Sequence, residues 1–148
     1  MKINILSLGK FKINQEYRSM FEYYRKRIGI KIKLIELKTH KHEHKKSLEK
    51  SEILKYIKDG DFVLTLDQNG ENITSSKFSK ILKDKLDNGC KRVNFVIGSE
   101  EGLDDYFRNS FRNISFGKQT WPHLLVRVML IEQIYRSFEI MKNSQYHK

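Results

Sequence analysis

The sequence predicts an α/β fold in which a mainly parallel sheet is flanked by helices. Short apolar runs of strand length alternate with longer segments of helical periodicity along the whole chain. Most of these runs close on Gly, Asn or Asp, the residues that end elements. Scale agrees: in 148 residues, Leu, Ile, Val and Phe make up about 30%, above the ~20% level below which charged chains stay disordered. One core, and one domain spanning residues 1–148, is the expectation. No internal repeat or linker interrupts it.

Ile3–Leu8 reads as a buried strand closed by Gly9. Asn14 can cap a helix in which Tyr17, Met20, Phe21, Tyr24 and Ile28 recur at helical spacing. After Gly29, alternating Ile30-Lys31-Ile32-Lys33-Leu34 marks a strand with one wetter face. A second helix, carrying Leu48, Ile53, Leu54 and Ile57, is expected to end at Gly60. Residues 61–66 form a third strand, stopped by the turn-like Asp67-Gln68-Asn69-Gly70. Thr74, Ser75 or Ser76 caps the next helix, with Phe78, Ile81, Leu82 and Leu86 inward and Asn88-Gly89 as its stop. Val93–Ile97 is a fourth strand, Leu103–Asn109 a short helix, and Ile114-Ser115-Phe116 a fifth strand. The last helix should start at Pro122 as its first helical residue and run to about Lys142. It is apolar nearly all round, so it needs cover on more than one side, and a second subunit is the natural complement to the sheet.

The net charge is +11, and it is concentrated in residues 1–60. Such a balance suits a polyanionic partner, nucleic acid first, or a merely solvated basic surface. The lone Cys90 cannot form an intrachain disulfide and reads as a small half-buried hydrophobe at a helix end. No apolar run approaches the ~18 residues that span a bilayer, and Ile3–Leu8 is too short for a signal peptide, so a cytoplasmic location is expected.

Three loops after strands are the places for chemistry, because open α/β sheets bind ligands there. They are residues 66–70, 97–102 and 116–123. The second lacks the G-x-G-x-x-G spacing, and Glu100 and Glu101 would repel a phosphate, so a neutral or cationic adenosine-bearing ligand suits it better. His40, His42 and His44 alternate with lysines and glutamate, a pattern that favours a solvated basic segment over a metal site, and no metal is expected. His123 and Arg127 share one face of the last helix, opposite Glu132 and Arg136, which read as an intrahelical ion pair. His123 serves either to brace or cap the loop or to position a ligand.

Further along, the residues form a recognisable pattern. It comprises Ile97-Gly98-x-x-x-Gly102-Leu103, then Thr120-x-Pro122-His123-x-x-x-Arg127-Val128-x-Leu130-x-Glu132-Gln133-x-Tyr135-Arg136, then Tyr146-His147. Together with Leu8-Gly9-Lys10, Leu66-Asp67-x-x-Gly70 and Ser75-Ser76, it resembles the ribosomal large-subunit methyltransferase H family of the SPOUT class, over essentially the whole chain.

The resemblance implies a SPOUT-type α/β fold with a carboxyl-terminal trefoil knot, a homodimer, and S-adenosylmethionine as cofactor. The implied reaction is methylation of N3 of a pseudouridine in a 23S rRNA stem-loop, with the assembled ribosome as substrate. Carried over residue by residue, the cofactor site comprises Leu66, Gly98 and Phe116-Gly117-Lys118-Gln119-Thr120-Trp121. Tyr146, His147 and Lys148 form the substrate tail, with His123, Arg127 and Arg136 as further catalytic or substrate-binding candidates. The chain departs from the pattern at Ser99, where a second Gly is usual, at Phe116-Gly117 in place of Leu-Ser, at Trp121 in place of Leu, and at Lys148 in place of Arg. A lysine keeps the charge but loses the bidentate fork.

Methyl transfer from a sulfonium is mostly a task of orientation, and the pyrimidine N3–H must also lose its proton. His147 is a base candidate, since an unperturbed imidazole has a pKa near ~6.5. Arg127, Arg136 and Lys148 are candidates for stabilising the anion or holding phosphate. Two other readings compete: a non-catalytic RNA-binding or ribosome-assembly module, and a SPOUT methyltransferase acting on tRNA.

Overall fold

A computed structural model describes residues 1–11, 15–41 and 43–148. Five strands form one parallel sheet: β1 (Lys2–Leu8), β2 (Lys31–Leu37), β3 (Phe62–Asn72), β4 (Arg92–Ile97) and β5 (Arg112–Ser115). Their order is β2-β1-β4-β3-β5, and all four pairings are parallel. The helices are α1 (Gln15–Arg25), α2 (Lys45–Leu54), α3 (Ser75–Asp87), α4 (Asp105–Ser110) and α5 (His123–Met141). Ile3, Ile5, Val93, Phe95 and Leu64 face a core that α3 and α5 close with Phe78, Leu82, Leu130, Ile131 and Ile134. On the other face Leu6, Leu8, Leu37 and Val96 meet Ile53 of α2 and Phe107 of α4. Strands buried on both faces need near-continuous apolar runs, and β1 and β4 have them.

The ends of the elements follow local chemistry where it is strong. Thr74 caps α3 by accepting from the Lys77 amide at 3.1 Å, and Asp104 caps α4 through Tyr106 N at 2.9 Å. Gly89 follows α3 with φ +70°, the left-handed residue a helix end calls for. The Asn14 cap expected for α1 lies outside the described residues, as does His42. Cys90 is half-buried against the core, as a small hydrophobe would be.

Several boundaries differ from expectation, and three of them have a visible cause. β3 does not stop at Asp67 but continues to Asn72. The Asp67 carboxylate accepts from Asn69 N at 2.8 Å, and pairing with β5 breaks after Leu66, then resumes at Glu71 with a shifted register. The residues between bulge, with Gly70 pressed against the side of β5. A Cβ on Gly70 would lie 2.7–2.8 Å from the Asn113 and Ile114 backbone, so only glycine fits there. α2 ends at Leu54 rather than at Gly60, because single turns from Tyr56 N to Ile53 O and Ile57 N to Leu54 O replace the helix. Pro122 is extended (ψ 131°) and precedes the first helical residue, His123, by one position.

Candidate active site

The middle of β3, where it bulges after Leu66, and the carboxyl ends of β4 and β5 open into a cavity of about 320 Å³. That is the lower end of the size range for small-molecule sites. Leu66 and the bulged 67–69 stretch of β3 form one wall, Ile97 to Leu103 a second, and Ser115 to Gly117 with Gln119 to Trp121 and His123 a third. The third wall is held by hydrogen bonds rather than by regular structure. Gln68 Nε2 donates to Lys118 O (3.0 Å) and Thr120 Oγ1 (3.3 Å), and Trp121 Nε1 donates to Phe116 O (3.3 Å). The Ser115 hydroxyl donates to Gly117 O (2.7 Å), a turn that Gly117 completes at φ +112°.

Gly98 has a different reason from leaving room for a ligand. A Cβ there would meet Gly102 C at 2.9 Å and Leu103 Cγ at 3.0 Å, so the glycine lets the 98–102 loop close on itself. The Ser99 hydroxyl beside it is buried within the loop with no protein partner. Glu100, Glu101 and Asp105 line the mouth together with Lys46 and Arg108. Arg108 pairs with Asp67 at 3.2 Å, and Lys45 with Glu101 at 2.8 Å, which raises the lysine pKa. Apolar walls (Leu66, Ile97, Leu103, Phe116, Trp121) and carboxylates at the rim fit an adenosyl sulfonium. They do not fit a phosphate.

His123 lines the cavity and Arg127 lies behind it as a brace. Arg127 is 0% exposed, and its Nη2 donates to Leu8 O at 2.9 Å and Gly9 O at 2.8 Å, tying the end of β1 to α5. Its guanidinium lies over the Phe11 ring and 3.8 Å from a Glu36 carboxylate oxygen. Burial lowers its pKa to about 10, and Glu36 opposes the drop. His123 sits beside Gly9, where a Cβ would be 3.6 Å from its Nε2. Burial and the Arg127 charge hold its pKa below the usual imidazole value, against the pull of Glu100.

The other expected residues lie elsewhere. Lys118 contributes its carbonyl to the third wall, while its side chain is not part of the lining. Arg127, Arg136, Tyr146, His147 and Lys148 do not line the cavity either. Glu132 and Arg136 form the expected ion pair, with Arg136 Nε donating at 3.0 Å. The tail folds onto this pair: Tyr146 OH donates to Glu132 Oε1 at 2.9 Å, and its ring packs edge-on to Tyr135 and under the Arg136 guanidinium. Burial, then the Tyr24 and Glu132 hydrogen bonds, push the Tyr146 pKa up. Lys46, Arg108 and Val126 line the cavity without having been singled out in the sequence, since their places depend on how α2, α4 and α5 dock. Among the described residues no group of three His, Cys, Asp or Glu is placed to hold a metal ion, and no helix is long and apolar enough to cross a membrane.

Fold and cavity together define an α/β protein whose ligand site is walled by backbone loops at the carboxyl edge of a parallel sheet. Residues 1–147 match the family described as "Predicted SPOUT methyltransferase". The chain belongs to that family. Proteins named ribosomal RNA large subunit methyltransferase H are similar along its full length. The one from Mycoplasmopsis synoviae is 42% identical over 154 aligned positions covering 100% of both chains. Those from Clostridium botulinum and Caldicellulosiruptor bescii are 37% and 36% identical over 100% and 99% of both chains. A solved structure of a probable methylase family protein from Haemophilus influenzae shares the fold, with a TM-score of 0.54 and 13% identity over 99% of this chain and 70% of that one.

Proposed function

We propose that this methyltransferase uses S-adenosylmethionine to methylate N3 of a pseudouridine in a 23S rRNA stem-loop of the assembled ribosome. In this reading it works in the cytoplasm as a homodimer of single-domain, trefoil-knotted subunits. The observation that carries the reading is the cavity at the bulge of β3 and the ends of β4 and β5, in a chain 36–42% identical over its length to proteins named for large-subunit rRNA methylation.

Leu66, Gly98 with its loop, and Phe116–Trp121 would hold the cofactor, which supplies an electrophilic methyl group when bound. The loop carbonyls and amides fix its orientation, and the rim carboxylates favour its positive charge. His123 and Arg127 keep the 8–9 segment against the cavity. The tail carries the groups suited to the acceptor: a stacking ring, an imidazole and a cation. Arg136 Nη1 lies 3.3 Å from His147 Nδ1. Arginine can only donate, so Nδ1 accepts and the neutral ring carries its proton on Nε2. Arg136 thus orients the imidazole with its Nε2–H free to donate to the acceptor base, where it would stabilise the anion left when N3–H gives its proton to water, and Lys148 adds a phosphate contact.

Within one chain the tail lies on α5 and away from its own cavity, which supports a site completed by a second copy. The surface for that copy is the apolar groove lined by Met20, Tyr24, Leu125, Met129 and Phe116. The test is transfer of tritiated methyl groups to assembled ribosomes, free 23S rRNA and tRNA. Ribosomes should be labelled, and deleting Tyr146–Lys148 should cut the rate on the order of 100-fold or more while cofactor binding persists. Labelling of tRNA alone, or full activity without the tail, would overturn the proposal.

A further inference from the structure

At the opposite end of the sheet from the cavity lies a shallow hollow of about 280 Å³ that no carboxylate lines. The strand register builds it. Lys31, Lys2 and Arg92 are direct partners across β2, β1 and β4, on the face that α2 covers, and Lys33 stands two residues on beside Asn4. Neighbouring strands run ~4.8 Å apart, and like charges placed opposite each other destabilise a sheet. Lys55 and Lys58, just past the end of α2, close the hollow from above.

Two of these cations are already matched. Arg92 Nε donates to both Asp61 oxygens at 2.9 Å, and Lys55 pairs with Glu52 at 2.8 Å. Asp61 is further held by Asn94 Nδ2 at 2.7 Å and the Lys58 amide at 3.0 Å, so its charge is committed. Lys2, Lys31, Lys33 and Lys58 have no carboxylate partner among the described residues, and all four are exposed. Four convergent, unmatched ammonium groups in a carboxylate-free hollow make an anion-binding surface.

We infer that this surface, formed by Lys2, Lys31, Lys33 and Lys58, docks the phosphodiester backbone of an RNA segment flanking the one that is methylated. Lysines are point charges that hold phosphates without reading sequence, which suits docking rather than selection. The seven residues of β1 put the hollow on the order of 20 Å from the cavity. A flanking segment spans that distance, and the reacting nucleotide does not. A lipid surface is a poorer match, because Tyr56 is the one exposed aromatic ring at the hollow among the described residues. The choice of RNA rests on the proposed function.

The test measures fluorescence anisotropy of a labelled RNA duplex of arbitrary sequence across a salt series, using the full chain. The double variant Lys31→Gln/Lys33→Gln is compared with Lys80→Gln/Lys83→Gln, which removes the same charge from the exposed face of α3. The first should lower the slope of log K against log salt by about 1.4–1.8 and weaken binding roughly tenfold at ~0.1 M salt. The second should change the slope by less than half as much, and neither should alter S-adenosylmethionine affinity by calorimetry. Equal losses in both variants, no duplex binding by the wild type, or binding to phosphatidylserine vesicles in place of RNA would overturn the inference. A wild type that methylates ribosomes but ignores the duplex refutes this surface alone. Duplex binding through the hollow without any methyl transfer refutes the proposed function and leaves the surface standing.

Discussion

Replacing Arg127 by alanine removes a fully buried guanidinium that donates to Leu8 O and Gly9 O at 2.9 and 2.8 Å and faces Glu36 at 3.8 Å. Each hydrogen bond to a charged donor contributes about 1.5–3 kcal/mol. The two carbonyls would then face a void, and Glu36 would lose its counter-charge. Breaking a buried pair in this way costs about 3–5 kcal/mol. Arg127 Nε and Nη1 have no hydrogen-bond partner, and burial lowers the group's pKa, so part of the charge's solvation is already lost in the wild type. That keeps the expected loss near 3–5 kcal/mol rather than above it. For a chain of this size, roughly 2–4 °C per kcal/mol gives a Tm fall of about 6–20 °C. Arg127→Met keeps the packing and drops the buried charge, so its fall should be about half as large. Differential scanning calorimetry at one protein concentration is the assay, since dimerisation would make Tm concentration-dependent. A fall of less than about 2 °C for Arg127→Ala would refute the reasoning.

Three further outcomes are expected. Gly98→Val forces a Cβ to within 3.0 Å of Gly102 and Leu103, and overpacking of about 1–3 kcal/mol in that loop should weaken S-adenosylmethionine binding roughly ten- to hundredfold by calorimetry. Unchanged affinity would remove the loop from the site. Light scattering should give twice the 17.7 kDa chain mass, and Leu125→Glu or Met129→Lys in the apolar groove should yield monomers or aggregate; a monomeric, fully active wild type contradicts this. His123 has its pKa lowered by folding, so its contribution to stability is present above the ordinary imidazole pKa and lost as pH falls through the folded value. Tm should therefore drop more between about pH 7.5 and pH 5 in the wild type than in His123→Gln, and parallel curves would contradict the assignment.

Strand and helix order was legible because hydrophobic periodicity and end residues are local signals, and Thr74, Gly89 and the apolar runs of β1 and β4 carry them strongly. The continuation of β3 through Asp67–Gly70 was not. It depends on pairing with β5, more than 40 residues away, and the steric reason for Gly70 exists only once Ile114 lies against it. Likewise α2 gives way before Gly60, where the Lys58–Asp61 turn is drawn toward Arg92 and Asn94. Two of the three segments were readable as loops after strands, the 66–70 segment is a bulged part of β3 instead, and the structure gathers all three around one cavity. Helical spacing placed His123 and Arg127 on one face. It could not show that Arg127 answers the carbonyls at the end of β1, a demand set by tertiary packing. Spacing could not show either that the tail turns back onto Glu132 and Arg136.

The proposed methylation of a 23S rRNA pseudouridine at N3 is open to one direct measurement. Ribosomes from a strain lacking the enzyme, incubated with the purified protein and S-adenosylmethionine, supply rRNA for nucleoside mass spectrometry with fragment mapping. One new methylated pseudouridine is expected, at N3 within a single 23S stem-loop, and none when Tyr146–Lys148 are removed. An unmodified 23S rRNA, or a methyl group found on another nucleotide or another RNA, would contradict it.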